Sequence, residues 1–397
     1  MASRRSFLLG AITAASAARA FGANDRIRLG LVGAGGRGNH LVNMANANGG
    51  IEWAAVCDIW DERRDKTAAR LSGPVQVTGS VKKYGDYRAL LDQKDIDAVV
   101  VATWDHMHSR IACDACRAGK DVFVEKPMTS LPMQGVALVE AVRETHRIVQ
   151  VGVQQRSMAH FIEARKKFID SGAIGKVNMV RTYWNANTGY LEKPPAGMER
   201  KPEGLDWDAA LGWLPKIPWD PKRYFNRFAY WDFSTGGQTG GLFVHLVDVV
   251  HWYLGLTRAR SAVALGGIYL YDDGRDTPDN INGIVEYPDN LVVTFEATIT
   301  DMLDKESVDI CFHGTGGRLS IFRQGYRFIP AERGAPEITG GTSKEEAHMG
   351  NFLDCVRTRK QPNADAVSSH YSALSCHLMN IAYRQGGRAF WQREWDV

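Results

Sequence analysis

Outside a short N-terminal leader, no run of apolar residues in this chain is long enough to span a bilayer. A surplus of charge of one sign is missing as well. The formal charge is +3 over 397 residues, and residues 1–20 carry Arg4, Arg5 and Arg19 with no acid. The remainder is therefore neutral, 45 basic residues against 45 acidic ones. Such a body gives no support for a nucleic-acid surface or a polybasic membrane anchor. Internal repeats and low-complexity tracts are also absent, which argues against a solenoid or a long disordered linker. Cysteine is sparse, at six residues. Cys113 and Cys116 stand at C-x-x-C spacing, but their surroundings read as a helix and no second pair follows. Buried small residues explain them better than a redox or zinc site.

What is present first is the leader. Ser3-Arg4-Arg5-Ser6-Phe7-Leu8-Leu9 resembles a twin-arginine export signal, and Ala18-Arg19-Ala20 offers small residues for cleavage. Residues 1–23 are read as that signal, with the twin-arginine translocon as a transient partner and the periplasm as destination.

A glycine turn organises the rest. The apolar run Ile27 to Val32 reads as a buried strand, and Gly33, Gly35 and Gly38 follow at G-x-G-x-x-G spacing, with Gly36 and Arg37 inside the turn. That spacing supplies a tight turn, close backbone approach to a pyrophosphate and close helix–strand packing. A helix from Asn39 to Ala47 can offer its N-terminal amides to phosphate. A second strand, Ile51 to Cys57, ends at Asp58, about 20 residues after the last glycine, where an acid holds the ribose hydroxyls of NAD. An acid repels a 2′-phosphate, so NAD is expected over NADP; Arg63 and Arg64 keep NADP open. Export of a folded protein suits one that carries a nucleotide with it.

Strand and helix patterns then alternate: Ala98 to Ala102, Asp121 to Val124 and Ile148 to Val151 read as strands, separated by helices. The fold class is α/β, with a doubly wound parallel Rossmann sheet over residues 24–152. Ligands in such sheets sit beyond the carboxyl ends of the strands. Thr103-Trp104-Asp105-His106-Met107-His108 and Glu125-Lys126-Pro127 occupy that edge. The texture changes after residue 152, and strand-like runs between 177 and 322 predict an α+β domain, residues 153–397, with a large, mostly antiparallel open sheet. A long aromatic segment, Asn185 to Gly237, has little periodicity, and such a loop is usually functional or a packing excursion.

Taken together, the glycine turn, Asp58, Thr103–His108 and Glu125-Lys126-Pro127 resemble the glucose–fructose oxidoreductase / inositol dehydrogenase / rhizopine catabolism (Gfo/Idh/MocA) family. Val151-Gly152-Val153-Gln154-Gln155-Arg156 resembles the strand that opens that family's second domain, and Gly236 to Gly255 its active-site helix. The resemblance implies an NAD(P)-dependent oxidoreductase moving hydride between a nicotinamide and a secondary alcohol of a sugar, glycoside or polyol. Lys126 would be the catalytic lysine and His245 the acid/base or substrate-orienting histidine. Thr103, Trp104, His108, Glu125 and Lys126 would line the cofactor. A homodimer or homotetramer is implied too. An alternative is a redox-neutral glycoside hydrolase that oxidises, eliminates, adds water and re-reduces; a nucleotide-dependent sugar sensor is disfavoured by Lys126 and His245 together.

Two positions depart from the family pattern. Gly241 stands where many members have an Asp one helical turn before the histidine, and Asp248 could support the imidazole instead. Trp104 replaces the proline usual after the threonine, and could line the cleft, stack on a sugar or simply pack. Arg156, Asn185, Asp248 and Tyr224 are candidate sugar contacts, with Asn187 and Arg223 beside them. His245, Asp248 and His251 have a spacing that zinc would accept, but internal hydrogen bonds explain it as well and no metal is expected.

Overall fold

A computed structural model describes residues 26–72, 80–185, 191, 193–300 and 308–397. The expected leader and Asn187 fall outside the described residues. Strand β1 (Ile27–Val32) is buried along nearly all its length, which places it at the middle of a sheet. It pairs in parallel with β2 (Ile51–Cys57) on one side and β4 (Ala98–Val101) on the other. β3 (Lys82–Tyr84), β5 (Asp121–Val124) and β6 (Val149–Val151) complete six parallel strands in the order β3-β2-β1-β4-β5-β6. The order reverses at β1/β4, and that switch point opens a crevice at the strand ends. Helices α1 (Gly36–Asn48), α2 (Asp61–Leu71), α3 (Tyr87–Leu91), α4 (Asp105–Arg117) and α5 (Pro132–Thr145) make the crossovers.

The turn between β1 and α1 needs its glycines for two separate reasons. Gly33 has φ +97°, and a Cβ there would come within 2.6 Å of the Ala102 carbonyl oxygen. A Cβ on Gly38 would run into the Gly33 carbonyl oxygen. Both positions let the helix N-terminus lie tight against the strand ends.

Among the described residues the second sheet has nine strands, and only one of its pairings, β10 with β7, is parallel. β7 (Val177–Asn185), β8 (Ser261–Gly267), β9 (Asn280–Tyr287), β10 (Leu291–Thr298), β11 (Val308–Gly314), β12 (Gly317–Phe322), β13 (Gly325–Pro330), β14 (Ile338–Gly340) and β15 (Ala389–Phe390) form it. Along β10, buried and half-buried residues alternate, the pattern of a sheet covered on one face. The covering layer is α6 (Ala159–Ala164), α9 (Val244–Leu254) and α11 (Ala366–Gln385), whose Phe161, Val247 and Leu378 join Val293 and Phe295 in one core. No helix among the described residues is long and apolar enough to cross a membrane.

Two parts of the chain return to the first sheet. The segment expected as a long loop contains α7 (Trp207–Leu211) and α8 (Pro221–Phe225), and folds back over the crevice. There Leu205 bridges to Trp60, the Asp206 amide donates to the Ile59 carbonyl, and the Trp213 indole donates to the His106 carbonyl. Helix α10 (Glu346–Thr358) puts Met349, Phe352 and Leu353, all buried, into the same core as Leu29, Leu31 and Phe123. All six cysteines are buried and unbridged.

Arg156 and Asp248, expected as sugar contacts, instead form a buried ion pair that ties these elements together. Arg156 Nε and Nη2 donate to Asp248 Oδ2 and Oδ1 at 2.7 and 2.9 Å. Ser372 of α11 donates to the same carboxylate at 2.8 Å, and Arg156 Nη1 donates to the Asn363 carbonyl. With Asp248 fully inaccessible, its carboxylate cannot reach a ligand or support the His245 ring. Removing one partner leaves a buried, uncompensated charge. Asp248→Ala is therefore expected to cost about 3–5 kcal/mol, and Arg156→Met with Asp248→Leu to recover most of it; urea unfolding midpoints of the three proteins check this.

Candidate active site

A cleft of about 800 Å³ runs along the carboxyl ends of the first sheet, from Asp58 past Gly33, Gly35 and Gly36 to Thr103 and Trp104. A second chamber of about 380 Å³ adjoins it, and Arg37, Thr103 and Arg227 line both.

The larger cleft has the chemistry a dinucleotide requires. Its floor is the glycine turn, where nothing lies within 4 Å of the Cβ position of Gly36, so a phosphate can approach the α1 amides. Asp58 closes one end, accepting from the Ala34 amide at 2.6 Å and the Trp60 amide at 2.9 Å. Burial raises its pKa, and those two amides oppose the rise. Arg63 sits in the same cleft, its guanidinium 4.9 Å from the Trp60 ring centre and 5.2 Å from that of Tyr224. Arg64 is held instead by Asp61 and Asp65. Trp104 lines the cleft and meets Tyr224 and Phe233 edge-on at 5.3 and 5.0 Å, so it packs and lines at once.

Tyr224, expected against the sugar, is in this aromatic wall of the larger cleft and not in the chamber. Asn185 does not reach the chamber lining either; at the end of β7 its side-chain oxygen accepts from the Thr298 amide. Arg223 is occupied by Asp220 and Asp232. His108 lines the chamber, but its ring nitrogens face the carbonyls of Pro127 at 2.8 Å and Thr103 at 3.1 Å. It therefore staples the two cleft-edge segments together.

The chamber brings Lys126 and His245 to one surface. Lys126 follows the end of β5, and its Nζ donates to the Gly241 carbonyl at 2.6 Å. Gly241 lies in a π-helical turn, Thr239–Phe243, that leads into α9, and such turns recur at functional sites because they displace backbone groups from the helical ladder. Burial lowers the Lys126 pKa, against an opposing pull from Glu125. Glu125 itself is buried and paired with Arg37 at 2.6 Å. His245 is held through Nδ1 by the Gln155 side-chain oxygen at 3.1 Å, which places the ring proton on Nδ1 and a lone pair on Nε2. Burial, then the neighbouring Lys126, pushes its pKa well below the ordinary 6.5. His245, Asp248 and His251 do not converge on a metal: Asp248 is taken by Arg156, and His251 Nε2 bonds the Tyr287 hydroxyl at 2.7 Å. No metal-holding group of His, Cys, Asp and Glu occurs among the described residues.

Sequence reasoning pointed to Arg156 and missed Gln155 beside it. The two share a 3₁₀ turn, Gln154–Ser157, in which neighbours point about 120° apart, so one reaches His245 and the other Asp248. Arg227, Phe228 and Arg323 also line the chamber, and no local pattern marks them.

Comparison with known proteins supplies the context for this geometry. Residues 27–153 match the model of the Gfo/Idh/MocA oxidoreductase family's NAD-binding Rossmann fold, and residues 158–392 match its C-terminal α/β domain. Inositol 2-dehydrogenase of Salmonella typhimurium is 33% identical over 173 residues, 43% of this chain and 49% of that protein. Levoglucosan dehydrogenase of Pseudarthrobacter phenanthrenivorans is 24% identical over 253 residues, covering 59% of this chain and 57% of the other. The match to the inositol dehydrogenase thus spans about half of that relative's length. Among solved structures, levoglucosan dehydrogenase in complex with NADH and levoglucosan superposes with a TM-score of 0.72 at 17% identity, covering 92% of this chain and 99% of that one. The WlbA dehydrogenase from Bordetella pertussis, in complex with NADH and UDP-GlcNAcA, gives 0.70 at 19% identity, with 92% and 99% covered. With both halves matched in order and the dinucleotide cleft in place between its glycine turn and Asp58, the chain belongs to the Gfo/Idh/MocA oxidoreductase family.

Proposed function

We propose that this protein is an NAD-dependent oxidoreductase acting on a secondary alcohol, or the matching ketone, of a sugar or polyol. The observation that carries the reading is the pairing of Lys126 and His245 in a chamber continuous with the dinucleotide cleft, both with burial working against their charged forms. The dehydrogenase relatives named for inositol and levoglucosan support the substrate class. Bound NAD supplies the hydride acceptor, and NADH the donor.

The chain's own groups handle the proton. A lysine whose ammonium is desolvated and bonded to a carbonyl, with no carboxylate at ion-pair distance among the described residues, releases its proton more easily. In the oxidising direction the neutral Lys126 amine takes the hydroxyl proton; in the reducing direction its ammonium returns it. His245, whose charged form burial and the neighbouring Lys126 disfavour, presents Nε2 to accept from a substrate hydroxyl and orient it. Export through the twin-arginine route with nucleotide already bound fits this chemistry. The open face of the second sheet, where Leu265 and Ile284 are exposed, is the surface on which a second copy would pack.

Three outcomes are expected. Lys126→Met lowers kcat by about 10²–10⁴-fold or more while NADH affinity, read by fluorescence, is unchanged; retained turnover would remove Lys126 from this role. In the oxidising direction kcat/KM climbs with pH through an inflection below the usual lysine value of 10.5, and shows no step near 6.5 from His245. Gly241→Asp puts a carboxylate beside Lys126, in space bounded by the Phe228 ring at 3.6 Å, and moves that inflection up by about a unit or more.

A further inference from the structure

The chamber's charged groups do not pair off evenly. Its three acids are already engaged: Glu125 with Arg37 at 2.6 Å, Glu345 with His40 at 2.6 Å, and Asp105 with the Thr235 amide at 3.1 Å. Two of its arginines are not. Among the described residues, neither Arg227 nor Arg323 forms an ion pair, and each is held by a single aromatic ring. The Arg227 guanidinium lies 4.3 Å from the Phe228 ring centre, and that of Arg323 lies 5.0 Å from the Trp184 ring centre. Arg227 Nε is sealed from solvent without a hydrogen-bond partner, although the residue is half-buried. Asp105 and Glu125 act on it through space, outside ion-pair distance.

A guanidinium stacked on a ring keeps its planar fork of N–H donors free, and a buried donor without a partner is costly unless a ligand supplies one. The two arginines come from separate elements, Arg227 from the returning segment and Arg323 from the β12–β13 turn, yet both line the chamber that holds Lys126 and His245. We propose that the substrate is a sugar bearing an oxyanion, a carboxylate or a phosphate ester, which Arg227 and Arg323 hold while the secondary hydroxyl lies at Lys126. This rests on the chamber being the sugar site. The charged group fixes which carbon faces Lys126, so the arginines set regiochemistry as well as affinity.

The test measures binding to the enzyme·NADH complex by calorimetry, so that it does not depend on turnover. The probes are matched sets: D-glucose, D-glucuronate and D-glucose 6-phosphate, then D-galactose, D-galacturonate and D-galactose 6-phosphate. In at least one set an acid or phosphate should bind about tenfold to a hundredfold tighter than its neutral counterpart. Arg227→Gln and Arg323→Gln should each erase that preference, and Arg323→Gln, whose residue lines the chamber alone, should leave NADH affinity unchanged. Preference for the uronates assigns a carboxylate, and preference for the phosphates a phosphate ester; either supports the proposal. Equal binding of charged and neutral sugars, or no binding by any of them, overturns it. So does weakened NADH binding in Arg227→Gln with the preference intact, since Arg227 would then serve the cofactor's phosphates. A probe that binds with the expected preference but is never oxidised or reduced would instead count against the oxidoreductase reading alone.

Discussion

The pair formed by Arg156 and Asp248 is the constraint on which the geometry of the site depends. A buried ion pair is weak evidence for net stability, because desolvation offsets much of the attraction. Its effect here is orientational. Arg156 adjoins Gln155, which holds His245, and Asp248 lies one helical turn beyond His245 on α9. The bidentate bond therefore fixes the 3₁₀ turn against the helix, and with them the distance between the amide oxygen and the imidazole. Ser372 extends the same constraint to α11.

On the opposite wall, Arg37 and Glu125 play a comparable part. Arg37 stands in the turn that would receive phosphate, and Glu125 precedes the lysine, so their ion pair fixes the nucleotide end of the cleft relative to Nζ of Lys126. Because Glu125 is committed to Arg37, it opposes but does not cancel the loss of solvation at Lys126. The carbonyl of Gly241 then provides a dipole where a carboxylate would provide a full charge. Taken together, burial works against the ammonium of Lys126 with only partial compensation from its neighbours.

The first sheet was legible because its signals are local. Five of its strands are apolar runs, and the glycine spacing, Asp58 and Lys126 are tied to strand ends by the chain itself. β3 was not, since two of its three residues are exposed lysines that carry no strand pattern. In the second domain, the alternation along β9 and β10 could be read, whereas β14 and β15 are short edge pieces defined by their partners. Site residues divided on the same principle. Lys126 and His245 sit in motifs; Gln155, Arg227 and Arg323 meet them only through tertiary contacts between elements far apart in sequence. Arg156 and Asp248 were noticed as chemically rich residues, but sequence could not show that each was the other's partner. Tyr224 was read as a sugar contact, and its ring instead packs in the aromatic wall of the larger cleft.

Helix α10 also bears on the order in which the molecule can be completed. When residue 152 has been synthesised, all six strands of the first sheet exist, but Met349, Phe352 and Leu353 do not. On that face α1 and α2 are already present, with Leu41, Val42 and Leu71 in the core, but the part that α10 covers stays open until residue 353 has been made. Helix α11, which follows, is also needed before Asp248 receives its Ser372 bond. The lining of the nucleotide cleft ends at Arg227, so its walls are synthesised well before the helix that completes the core behind the glycine turn.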